Sequence, residues 1–193
     1  MRERDAPPPH PLSIAEFTAL VDRHQRALHA FLRGWMSNDE HARDLLQETF
    51  CAAWRAAQRG APPFVAGCPD EEARRWLFHT AYCQAVSALR RRKLIHWEPL
   101  DELSTPVEAV SLPTFEERIA EGEALRAALA QLTPDDVACL LLRVAHGFSA
   151  AEVGAIMGAS PEVINKRLSR AKQRLRAAYL AQDAQPVEER SRR

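Results

Sequence analysis

The sequence predicts an all-α protein made of two small helical domains joined by an extended acidic linker. Three observations carry this. Apolar residues recur at helical spacing through most of the chain, no segment alternates with the two-residue period of a strand, and a stretch holding Pro99, Pro106 and Pro113 divides the two periodic halves. The boundaries read as a disordered tail at 1–12, a first domain at 13–95, the linker at 96–114, a second domain at 115–181 and a second disordered tail at 182–193.

Ser13-Ile14-Ala15-Glu16 is a capping box, in which serine and glutamate side chains each satisfy the other's backbone N–H. Ile14, Phe17, Val21, His24, Leu28, Phe31 and Leu32 continue at helical spacing to about Gly34. A second helix follows Ser37 and Asn38, with Ala42, Leu45, Leu46, Phe50, Ala53, Trp54 and Ala57 on one stripe. Gly60, Pro62, Pro63, Gly67 and Pro69 impose a loop. Asp70 to Lys93 is a third helix, its acids in the first turn and its arginines in the last, as the helix dipole favours. Ala73, Trp76, Leu77, Ala81 and Leu89 face its core.

Beyond the linker a helix spans about Phe115 to Leu132. Thr133 then caps another, with Pro134 at its first position, and Gly147 ends it. Ser149-Ala150-Ala151-Glu152 is a second capping box, opening a short helix with Val153, Ile156 and Met157 inward. Gly158-Ala159 makes a tight turn, and Ser160 caps the last helix with Pro161 at its first position.

Several function classes are excluded by what is missing. No run of eighteen apolar residues is present and the start carries charges and prolines, so the chain reads as cytoplasmic, without membrane insertion. Cys51, Cys68, Cys83 and Cys139 form no C-x-x-C pair and lack closely spaced histidines, so neither metal nor cofactor is expected and the thiols are reduced. No phosphate-binding glycine loop or nucleophile elbow occurs, so an enzyme is not expected.

The net charge is zero, yet the charges are segregated. Trp97 to Asp136 holds ten acids against Arg118 and Arg126, whereas Val163 to Arg176 holds six cations and no acid. Arg90, Arg91, Arg92 and Lys93 form a second basic cluster. Blocks of opposite sign imply different surfaces with different partners.

A short capped helix, a glycine turn and a longer basic helix make a helix-turn-helix. In the last helix Ile164, Leu168, Ala171 and Leu175 fall on one side, leaving Ser160, Glu162, Asn165, Lys166, Ser169 and Gln173 outward with hydrogen-bonding groups for major-groove edges. Arg167, Arg170, Lys172 and Arg174 flank that face, where phosphates would lie.

The second half, LAQLTPDDVACLLLRVAHGFSAAEVGAIMGASPEVINKRLSRAKQRLR, resembles region four of bacterial RNA polymerase sigma factors. ARDLLQETFCAAWRAA and RRWLFHTAYCQAVSALRRRK resemble region two. The order, and the lack of an intervening region-three domain, are those of the extracytoplasmic-function (ECF, group four) class. The resemblance implies a factor that binds core RNA polymerase, through the beta-prime clamp helices and the beta flap, and directs initiation at promoter DNA. In such a factor Asp44, Gln47 and Glu48 would dock on the clamp helices. Phe64 with its loop, Tyr82, Cys83 and Arg90 to Lys93 would melt and hold the minus-ten strand. The last helix would read minus-thirty-five. Many members are held by an anti-sigma factor, so the resemblance admits that partner too.

Two departures stand out. Cys83 replaces the usual Asn and Ser87 the usual Asp, and cysteine cannot offer an amide's paired donor and acceptor, so an atypical minus-ten sequence is expected. The acidic linker, with Glu98, Asp101, Glu102 and Glu108, suits a basic channel in the polymerase as a polyanion mimic. The competing reading, a stand-alone helix-turn-helix regulator, leaves Asp44 to Phe50 without a purpose.

Overall fold

Ser13 opens the first helix as its spacing requires: its hydroxyl accepts from the Glu16 amide at 3.3 Å, and the Glu16 carboxylate accepts from the Ser13 amide at 2.8 Å. The computed structural model describes residues 10–36, 39–94 and 125–183. The expected linker and the first part of the helix expected from Phe115 lie outside the described residues. Among the described residues every regular element is a helix, with one isolated bridge between Pro11 and Val65.

Helices α1 (Ile14–Trp35), α2 (Asp39–Gln58) and α3 (Asp70–Leu94) form the first bundle. Their shared core holds Leu28, Phe31, Leu32, Ala42, Ala53, Leu77, Phe78 and Ala81, all fully buried. Small residues on α2 let the helices approach closely while phenylalanines fill the space between them. Two polar ties fix their register. Buried Thr49 donates from its hydroxyl to Gln84 Oε1 across α2 and α3 at 2.7 Å. Asp70, at the start of α3, accepts from Arg23 and lies 3.1 Å from the Nε2 of buried His24 on α1. Burial pushes the Asp70 carboxyl upward, but those two donors outweigh it and hold it below the usual carboxylate range.

The second bundle begins with a helical segment at 125–130 (α4) and α5 (Pro134–Leu140), capped by Thr133, whose hydroxyl accepts from the Asp136 amide at 3.3 Å. The sequence predicts an ordinary α-helix up to Gly147. Instead α5 stops at Leu140 and Leu141–Ala145 forms a wider turn, with the His146 amide bonded to the Leu141 carbonyl at 3.0 Å. The widening lets Leu142 and Phe148 both reach the core before the chain reverses at Gly147, φ 72°. Helix α6 (Ala150–Met157) starts at the expected capping box, Ser149 with Glu152. Gly158 then adopts φ 70°, ψ 39°, and α7 (Pro161–Asp183) follows.

Candidate nucleic-acid interface

Helix α7 is seated by its apolar side. Ile164 and Ala171 are fully buried against α5 and α6, with Leu168 and Leu175 partly so. Ser160, Glu162, Asn165, Lys166 and Ser169 are exposed, as are Arg170 and Lys172. Ser160 accepts from the Val163 amide at 3.4 Å, and its hydrogen bond, together with the backbone, holds the exposed Glu162 carboxyl below the usual range. Glu162 is an exposed, ionised acceptor at neutral pH.

The four cations expected to flank that face divide in two. Arg167 lies 3.1 Å from Asp135 and 3.6 Å from Asp136, and Arg174 donates to Asp136 at 2.7 Å. Asp136 is buried, so these arginines tie α7 to α5. Arg170 and Lys172 make no ion pair among the described residues and are exposed, as are Lys166 and Arg176. Asp135 and Asp136 stand in the first turn of α5, where the helix dipole also favours acids. Their role as anchors for α7 carries no local signal.

On α3, His79, Cys83, Ser87 and Arg90 recur along one exposed stripe, with exposed Arg91 beside it. The side chains of Arg92 and Lys93 lie outside the described residues. Tyr82 sits one step over, its ring stacked on Trp35 at 5.3 Å. Burial, reinforced by Asp135, pushes its phenol up. Phe64 requires correction. It is fully buried, 4.9 Å edge-on from Trp76, because its loop folds inward to complete the core, so it supports that loop from beneath and does not itself meet a strand.

On α2, Asp44, Gln47 and Glu48 are all exposed, as the spacing predicts. Leu46 and Phe50, expected in the core, are only half-buried. They line an apolar groove of about 380 Å³ between α1 and α2, with Phe17, Val21 and Trp54, and Gln47 reaches into the same lining.

Two family models match the chain: Sigma-70 region 2 over residues 20–95, and Sigma-70, region 4 over residues 122–175. The ECF RNA polymerase sigma factor SigE of Mycolicibacterium smegmatis is 30% identical over 171 residues, 88% of this chain. The chain spans 63% of that relative's length. The RNA polymerase sigma factor CarQ of Myxococcus xanthus is 30% identical over 166 residues, 83% of this chain and 87% of its own. Among solved structures, the sigma factor RpoE in complex with the anti-sigma factor NepR, from Bartonella quintana, aligns with TM-score 0.63 at 26% identity, over 86% of this chain and 97% of its own. CnrH in complex with the cytosolic domain of CnrY shares the fold, with TM-score 0.59 at 22% identity, over 90% of this chain and 92% of its own. The chain belongs to the sigma-70 family of RNA polymerase sigma factors, in its ECF class.

Proposed function

We propose that the chain is an alternative sigma factor that binds core RNA polymerase and directs initiation at promoters with their own minus-thirty-five and minus-ten elements. One observation carries this reading. A single chain presents, in order, an exposed Asp44, Gln47 and Glu48 set beside an apolar groove, an exposed stripe on α3 that ends in Arg90 and Arg91, and an outward polar face on a glycine-turned helix α7. A polar set flanking an apolar receptor is the anatomy of a protein anchor. An exposed row of Glu162, Asn165, Lys166 and Ser169 flanked by Arg170 and Lys172 is that of a major-groove reader.

In this role the chain does no chemistry, which belongs to the polymerase, and it needs no cofactor. It would work in the cytoplasm, where the polymerase is. No described helix is long and apolar enough to cross a membrane. RpoE was solved in complex with the anti-sigma factor NepR, which supports an anti-sigma factor as a partner here. The test is to add purified protein to core polymerase and follow complex formation and run-off transcription on a library of genomic fragments. A stable complex and discrete starts are expected. No binding to core, with tight binding of the free protein to a palindrome, would turn the assignment to a stand-alone regulator.

A further inference from the structure

Just before α1 the chain makes a contact that no helix requires. Pro11 and Val65 form the isolated antiparallel bridge, and the His10 carbonyl accepts from the Ala66 amide at 3.0 Å. Pro11 also covers Gly60, where the chain leaves α2: a Cβ on that glycine would stand 3.5 Å from Pro11 Cγ. Residues 10–12 thus lie as a strap across the loop that joins α2 to α3. The strap is anchored at its far end, because Leu12 packs against the core and Ser13 beside it caps α1.

The same loop is held from within. Phe64 is fully buried beneath it, its amide donates to the Ala61 carbonyl at 2.9 Å, and the Cys68 amide donates to the Val65 carbonyl at 3.2 Å. Where the loop enters α3, Asp70 is tied to Arg23 and His24 of α1. The tip differs. Gly67 is exposed, with no atom within 4 Å of the place its Cβ would take, and Val65 and Ala66 are only half-buried. The strap before α1 and the side chains of α1 therefore fix both ends of a loop whose tip is open to a ligand.

We propose that residues 10–12 are a positioning element for minus-ten recognition: through their backbone they hold the 61–69 loop in the shape that receives a base extruded from the promoter. This rests on the reading of the chain as a sigma factor whose α2–α3 loop meets the minus-ten strand. The reason is entropic. A loop released from the strap samples several shapes, and each binding event must then include the cost of ordering it. Extruding a base has already consumed unstacking energy, so little is left to order the loop as well. Only the held fraction binds, and the apparent affinity is divided accordingly.

Three variants test this in holoenzyme. Deleting residues 2–11 removes the strap. Ala66→Pro keeps the strap but removes the amide that donates to it. His10→Ala is the conservative variant, since it keeps the accepting carbonyl. Circular dichroism verifies that each chain retains its helices. Binding of a single-stranded minus-ten oligonucleotide, its sequence taken from the promoters found by run-off transcription, should weaken about tenfold in the first two, as for a loop held one-tenth of the time. His10→Ala should bind it like the wild type. Affinities for core polymerase and for a minus-thirty-five duplex should be the same in all four chains. A deletion that binds the oligonucleotide as tightly as the wild type would overturn the proposal. So would an equal loss on a scrambled oligonucleotide, or a His10→Ala chain as weak as the deletion. If no chain, wild type included, binds core, the sigma-factor reading fails instead. Hydrogen exchange then still judges the strap, by protection of the Ala66 amide in the wild type and its loss on deletion.

Discussion

Arg170 and Arg174 sit one turn apart on α7, yet the first is exposed without an ion pair among the described residues and the second donates to buried Asp136. Their loss should be felt differently. In holoenzyme binding to promoter DNA, Arg170→Ala should lower the salt slope by about one, the signature of one lost phosphate contact. Arg174→Ala should leave the slope unchanged and lower the stability of the free protein by about 1 kcal/mol or less, a pair with one exposed partner being weak. Lys166→Ala, on the outward face, should alter discrimination between sequences by roughly 1 to 3 kcal/mol. The outward face was legible because a 100° step along α7 sorts its residues without any outside knowledge. The Arg174 and Asp136 pair was not, being 38 residues apart in the chain, and neither was the burial of Phe64, which depends on a loop folding back over Trp76.

Among the elements, the angle between α6 and α7 rests on two glycines. Gly158 supplies the left-handed turn, and Gly154 lets the turn close: a Cβ on Gly154 would stand 2.5 Å from the Ala159 carbonyl oxygen, which is backbone and cannot swing aside. Gly154→Ala should therefore tilt α7 and abolish transcription that depends on minus-thirty-five, while core binding through α2 persists in a pull-down. In the first bundle, Thr49→Val would leave Gln84 without its partner across α2 and α3, and urea unfolding should show a loss of about 1 to 2 kcal/mol. Caps and turns were readable from sequence because their chemistry is confined to four or five neighbouring residues. The widened turn after Leu140 was not, since it answers to the burial of Leu142 and Phe148 by the rest of the molecule.

For the molecule as a whole, two bundles in one chain could be read from the periodicity and the prolines between them. Their docking could not, because it depends on side chains such as Arg74 and His146 that are 72 residues apart. That seam contains a titratable group. Burial, and secondarily Arg74, hold the His146 imidazole below the usual histidine value of 6.5. The surroundings are Phe31 on α1, and Phe78 and Arg74 on α3. Glu71 and Glu152 lie near Arg74, and Arg143 donates to the Phe148 carbonyl. A depressed histidine favours the state that keeps it neutral, so docking is at full strength above about 6.5 and weakens as pH falls below that value, where the open form takes up the proton. Thermal unfolding should be a single transition at pH 7.5 and separate into two near pH 5.5, and His146→Gln should remove the dependence.

Asp135 touches Tyr82 of α3 and Arg167 of α7 at once. One carboxylate thus joins a tyrosine of the first bundle to an arginine of the last helix, an internal counter-ion shared by the two bundles. A ligand that draws Arg167 away leaves Asp135 a less compensated acceptor, which tightens its hold on the Tyr82 hydroxyl, and the reverse holds by thermodynamic reciprocity.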